Sequence, residues 1–232
     1  MAQEYGPNIV TDGLVLFLDA ADKNSYPGSG TTWTDLSSSG NDATLVNSPT
    51  FNSDNCGSIV FDGVDQYATF SRITMAKESA TIMGWCYVDD FTTGRSNAGR
   101  IFVKDSSDTY RKMIVFFDGE YGFETNTNSD PFELSGAMGG PVADSGITTG
   151  TFFHFALVFD SSTSHGYVNG DLTDSTGIAD SMNLDRIGEE SSSSSYPAYM
   201  KGKIFNIMIY DTVLSAKEIS QNFNAHRSRF GM

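Results

Sequence analysis

Asp35, Ser37, Ser39, Asn41 and Asp42 set oxygen-bearing side chains at near-alternate positions around Gly40. Carboxylate, hydroxyl and amide oxygens in that order are what the first half of a calcium loop uses to wrap a hard cation. Val46 stands where an EF-hand carries its bidentate Glu, so the segment is not an EF-hand. The same residue types also make Asx and Ser turns, in which the oxygens bond the loop's own backbone. The spacing therefore leaves two readings, a Ca²⁺ site and a turn. Phe61-Asp62-Gly63-Val64-Asp65 poses the same choice, and there a structural turn is the expectation.

A second chemistry is sugar recognition, which needs aromatic faces beside polar groups. Tyr26, Tyr196 and Tyr199 fall in predicted loops, the last two beside the run Ser191–Ser195. They are the candidate carbohydrate-binding residues. Trp33 and Trp85 occupy strand-like contexts, where large aromatics pack inward, and are assigned to the core. A third chemistry, glycoside hydrolysis, needs two carboxylates facing one cleft. The nearest approach is Asp118-Gly-Glu-Tyr-Gly-Phe-Glu124, but Asp118-Gly119 reads as a turn, so these carboxylates do not line one strand. His154, His165 and His226 fall on separate elements, with no Ser-His-Asp or His-metal grouping. No catalytic residue is assigned, and the expectation is a protein that is not an enzyme.

The elements that must position these residues are strands. Apolar runs alternate with Gly, Asn, Asp and Ser punctuation from Gly13–Asp19 to Lys203–Tyr210. Further strands are expected at Ala43–Val46, Ser58–Phe61, Gln66–Phe70, Arg100–Val103, Lys112–Phe117, Tyr121–Glu124, Phe152–Phe159 and Gly166–Val168. Ala80–Val88 is apolar on both faces, which suits a central strand covered on each side. Asp118-Gly119 and Asn169-Gly170 favour the positive φ of tight hairpin turns. One helix is expected: Ser215 with Glu218 forms a capping box, Ile219 and Phe223 share a face, and fraying sets in near Arg227. The sequence divides into an extension (1–12), one domain (13–225) and a tail (226–232).

The 232 residues, 39% hydrophobic and 19% charged with 23 glycines, suit a single sandwich of many short strands. A formal net charge of −15 repels phosphate backbones, so nucleic acid is excluded as a direct partner. No apolar run approaches the roughly 20 residues of a membrane span, so insertion in a membrane is not expected. The opening Met-Ala-Gln-Glu-Tyr-Gly-Pro has neither a basic nor an apolar region, and a chain without a secretory signal is the expectation. Cys56 and Cys86 are then read as two separate buried thiols, with a single disulfide as the alternative.

Several stretches carry a resemblance. Gly13–Ala20, Ser25–Gly30, and Trp33–Ser37 with Gly40-Asn41 resemble the opening of a laminin-G-like, concanavalin A-like jelly roll. Phe61–Tyr67, Met83-Gly84-Trp85, Tyr167–Gly170 and Ile209–Ser215 resemble its later landmarks, and Glu218-Ile219 with Asn222–Asn224 its closing helix. The resemblance implies an all-β antiparallel sandwich with one short C-terminal helix. Glycanases of that family carry Glu-x-Asp-x-Glu on one strand, and no such triplet occurs here. Calcium is frequent among its lectins, which adds to the case for a Ca²⁺ cofactor at Asp35–Asp42.

The terminal stretches are also similar to virion structural proteins of tailed phages, cyanophages especially. That similarity implies a non-enzymatic, lectin-like domain displayed on a capsid or tail surface after assembly in the host cytoplasm. Its roles would be decoration, stabilisation or glycan adhesion, its partners other virion proteins and host or environmental glycans. Self-association stays open. A calcium-assisted carbohydrate-binding module is the alternative, and a divergent glycanase ranks last.

Overall fold

A computed structural model describes residues 7–76, 79–89, 98–99, 103–104, 111–117, 120–126, 143–144, 147–161, 163–176, 182–190 and 198–232. Alternation of inward and outward residues along strands builds two facing sheets. The large sheet runs Asp171–Thr176, Thr163–Val168, Phe152–Asp160, Ser79–Val88, Lys201–Tyr210, Ser58–Asp62 and Thr50–Asn52. Leu14–Asp19 joins it by pairing with Lys201–Tyr210. The small sheet runs Thr32–Trp33, Ala43–Val46, Tyr67–Met75, Met182–Ile187 and Val103–Lys104. Ala98–Gly99, Arg111–Phe117, Glu120–Asn126 and Ala143–Asp144 form a further four-stranded sheet. All pairings among the described strands are antiparallel.

The two faces that meet are dry. Leu16, Ile59, Ile82, Phe155 and Leu157 of the large sheet pack against Trp33, Leu45, Ala68, Ile73 and Leu184 of the small one. Ser79–Val88 is central as its two apolar faces require, flanked by Phe152–Asp160 and Lys201–Tyr210. Its second face, carrying Met83 and Trp85, is covered by α1 (Ala216–His226) and the turn Arg227–Phe230. Gly84 lets the neighbouring strand come close, since a Cβ there would lie 2.5 Å from the Asn206 carbonyl oxygen. Beside it Lys201–Tyr210 shifts register, and the Asn206 side chain replaces a strand carbonyl, accepting from the Trp85 N–H at 3.1 Å.

The Asn169-Gly170 hairpin forms as its residue types require, with φ of 52° and 87° between paired Val168 and Asp171. Phe117 pairs with Glu120, and the Asp118-Gly119 turn expected between them lies outside the described residues. Residues 100–102 of the expected strand Arg100–Val103 also lie outside them, and Val103–Lys104 pairs with Arg186 and Ile187.

The capping box forms. The Glu218 carboxylate accepts from the Ser215 N–H at 2.8 Å, and Ser215 Oγ accepts from the Glu218 N–H at 3.4 Å. Bonds donated by the Ser215 hydroxyl and N–H to the carboxylate hold the Glu218 carboxyl below its usual value. The expected fraying after the helix does not occur, and residues 226–232 are not a separate tail. Phe230 stacks on Trp85 with centroids 4.1 Å apart. The Arg229 guanidinium donates to both oxygens of the buried Asp19 at 2.9 and 2.7 Å. The described part of the extension is fixed too: Val10 N–H donates to Asn222 Oδ1 and Gln221 donates to the Asn8 carbonyl.

Cys56 and Cys86 are unpaired. Only Cys86 is buried, and burial raises its thiol pKa well above the usual value. Cys56 is exposed, a correction to the pair of buried thiols expected, because it lies in a surface 3₁₀ turn.

Candidate functional site

The Asp35 loop is closed on itself. Asp35 Oδ1 accepts from the backbone N–H groups of Phe17 and Ser37 at 2.8 and 2.9 Å. Its Oδ2 accepts from Ser37 Oγ at 2.7 Å and from the Asn41 N–H at 2.9 Å. Asp42 Oδ1 accepts from the Asp35 N–H, Ser37 Oγ from the Ser39 N–H, and Asn41 Nδ2 donates to the Val15 carbonyl. Four donors occupy the lone pairs of the Asp35 carboxylate, so as placed it has none left for Ca²⁺. Among the described residues, no group of three or more His, Cys, Asp or Glu is placed to hold a metal ion. The Asp35 oxygens serve as an internal fastener that ties the loop to the Leu14–Asp19 strand. Asp35→Ala leaves three backbone donors without acceptors and is expected to cost about 2 kcal/mol in denaturant melts. Millimolar Ca²⁺ is expected to leave Tm unchanged. A calcium-dependent rise that Asp35→Ala abolishes would return the loop to metal binding. The 61–65 segment is likewise a turn, in which Asp62 Oδ1 accepts from the Val64 N–H.

The three tyrosines part company. Tyr26 is not available to a ligand: it is 3% exposed, its hydroxyl donates to the Gly30 carbonyl, and its ring packs on Phe51. The loop around it folds inward because Ser25 Oγ bridges the Asp19 N–H and the Thr34 carbonyl. Tyr196 lies outside the described residues. Tyr199 is half-buried, on a short strand whose register sets it against Glu189.

Around Tyr199 a cluster assembles that the sequence did not announce. Tyr67 and Arg186 alternate with the buried Ala68 and Ile187, so both lie on the outer face of the small sheet. The Arg186 guanidinium sits 5.0 Å above the Tyr67 ring and forms an ion pair with Glu189 three residues on. Arg186 is 25% exposed and Glu189 6%, so the pair is largely withdrawn from water. Burial opposes the charge on Arg186, but its hydrogen bond to the Glu189 carboxylate, the charge of Glu189 and the nearby Tyr67 and Asp185 raise its pKa. Burial raises the Tyr199 phenol, and Glu189, Asp65 and Tyr67 raise it further, against the opposing effect of Arg186. Asp65, Tyr67, Arg186 and Glu189, from different segments, thus all act on Tyr199. The loop tyrosine Tyr199 and the Phe61–Tyr67 landmark were the signals in the sequence pointing here. The pairing of Met182–Ile187 with Tyr67–Met75, which brings Arg186 alongside, was not legible.

The histidines offer no comparable site. His154 is fully buried between Trp85 and Phe223, with neither ring nitrogen hydrogen-bonded. His226 Nε2 lies 3.9 Å from Asp19 and Nδ1 lies 3.2 Å from the Asn222 carbonyl oxygen. His165 meets Ser175 at 2.7 Å on the edge of the large sheet. Of the 118–124 carboxylates, Asp118 lies outside the described residues.

Comparison with known proteins agrees with this architecture. Residues 62–220 match the family model described as the concanavalin A-like lectin/glucanases superfamily. Domain 4 of AbnA, a GH43 extracellular arabinanase from Geobacillus stearothermophilus solved with arabinotriose, superposes with a TM-score of 0.64 at 12% identity. That match covers 93% of this chain and 100% of the domain. Trypanosoma rangeli sialidase in complex with sialic acid gives 0.62 at 16% identity, over 97% of this chain and 35% of the sialidase. The chain thus spans about a third of the sialidase's length. No curated protein sequence matches it.

Proposed function

We infer, from the premise that the chain belongs to the concanavalin A-like lectin/glucanases superfamily, that its function is to bind glycan without cleaving it. The observation that carries this reading is Arg186 over the Tyr67 ring on the outer face of the small sheet, ion-paired with Glu189, whose register partner is Tyr199. Tyrosine faces stack on the C–H surfaces of sugar rings, and a pinned guanidinium and carboxylate present donors and acceptors to hydroxyls. Glu189 is engaged by Arg186 rather than presented to a glycosidic oxygen, which supports binding over hydrolysis. A domain of the same fold crystallised with arabinotriose gives the reading a precedent.

The test is calorimetric titration after a glycan-array screen. Tyr199→Ala is expected to weaken the best ligand about tenfold, in line with the loss of one stacking contact, without changing Tm by more than a few degrees. No reducing sugar should be released from that ligand. Undiminished binding by Tyr199→Ala would remove the cluster from recognition, and release of reducing sugar would reinstate a glycanase.

In its finer form the proposal places the module on a virus particle, on capsid or tail, for decoration, stabilisation or adhesion. Residues 8–10 and 227–230 both lie against the outer face of the large sheet, on the opposite side of the sandwich from Arg186. Attachment through that side would leave the tyrosine cluster facing outward. Many copies of the chain in gradient-purified particles, counted by mass spectrometry, are the expected result. Recovery only as free protein would leave the glycan-binding module standing alone.

A further inference from the structure

We propose that the cluster around Arg186 selects uncharged glycans and rejects carboxylated ones. This rests on the glycan-binding reading and specifies its ligand class. Recognition of a sugar carboxylate calls for an arginine whose fork is open to a bidentate partner. Arg186 already spends its charge on Glu189, and the pair is withdrawn from water. A carboxylated sugar would have to pull Arg186 away and leave the almost fully buried Glu189 without its cation, which a buried carboxylate does not tolerate.

The acidic side chains nearby act in the same sense. Asp65 acts on Tyr199 together with Glu189. Of the cations described beside the cluster, Lys104 is the register partner of Arg186 and Arg72 stands 3.8 Å from Asp185. The chain as a whole carries a formal charge of −15, so the long-range field also repels anions. A sugar hydroxyl both donates and accepts, so it can bond to Arg186 and Glu189 without separating them. The ion pair thus acts as a filter: it offers hydrogen bonds to neutral ligands and no net positive charge to acidic ones.

The experiment is an array carrying neutral oligosaccharides (arabinotriose, xylotriose, maltotriose, mannotriose) beside trigalacturonate and sialyllactose, at low salt, with wild type and Glu189→Gln. Wild type is expected to retain neutral members only. Glu189→Gln, which frees the guanidinium, is expected to gain at least tenfold for carboxylated members, a gain that salt erases. Wild type holding trigalacturonate or sialyllactose as tightly as its best neutral ligand would overturn the selectivity and leave glycan binding intact. Retention of no member by wild type would overturn the glycan-binding reading and the selectivity with it. If Glu189→Gln does not fold, the wild-type comparison decides alone.

Discussion

Acidification from about pH 7 to about pH 4 should lower the stability of this domain by roughly 6 kcal/mol, and most of that loss should trace to two buried histidines, His154 beneath the C-terminal helix and His226 at its end. Burial pushes the His154 imidazole from 6.5 down to about 3, with the charge of His226 acting in the same direction. Burial and Arg229 push His226 down to about 4, against the pull of Asp19 and the bond to the Asn222 carbonyl. Unfolding returns both rings to water, where they protonate near pH 6.5. Above that pH neither state binds the proton and nothing is lost. Between 6.5 and the depressed values only the unfolded chain binds it, so stability falls steadily as pH falls. His154 alone accounts for about 3 kcal/mol at pH 4, since its ring meets Trp85 and Phe223 and no acceptor that would hold a proton. Urea melts across this range measure the slope, and His154→Phe isolates the contribution, since it should flatten the curve by about that amount. A wild-type curve no steeper than the variant's would mean that the His154 ring reaches water.

Those histidines also show what a sequence can and cannot display. Ser79–Val88 was legible as a central strand because burial on two sides leaves an unbroken apolar run, and the capping box at Ser215 because it is a local pattern of four residues. Asp171–Thr176 was missed: it is an edge strand, with one neighbour and a polar composition, and carries no apolar alternation to read. Met182–Ile187 was missed because Asn183, Asp185 and Arg186 interrupt its apolar pattern, while Leu184 and Ile187 enter the core. The candidate site suffered from that second omission, since Arg186 meets Tyr67 only through strand pairing over more than a hundred residues. The Asp35 loop poses a different difficulty. Its oxygens are where the spacing put them, but the donors that fill them come partly from Phe17, on a strand whose position the loop sequence does not encode. The residues after His226 read as a tail because Arg, Ser and Gly dominate them. Their anchors, Asp19 and Trp85, lie far away in the chain.

Trp85→Ala should be the most damaging single substitution in the outer layer, at about 3–5 kcal/mol. The indole has no exposed surface and joins three elements at once. Phe230 stacks on it at 4.1 Å with an interplanar angle of 15°, Phe223 at 5.4 Å with 14°, and His154 of the adjacent strand tilts against it at 5.5 Å. Removing the ring leaves a cavity that the large sheet cannot close, because the strand's opposite face is fixed in the sandwich core by Ile82 and Cys86. It also takes the platform from both phenylalanines, so the segment from Phe223 to Phe230 keeps Arg229–Asp19 as its main tether. Two measurements follow from that division. Urea melts should show the full loss, and limited proteolysis in native buffer should cut near Arg227 and Arg229 before the sandwich unfolds. Trp85→Phe, which keeps a stacked ring, should recover more than half of the stability and most of the protection. A loss under ~1 kcal/mol for Trp85→Ala would place the ring on the surface, and unchanged proteolysis would show that the ion pair with Asp19, rather than the aromatic stack, fastens the C-terminal segment to the sheet.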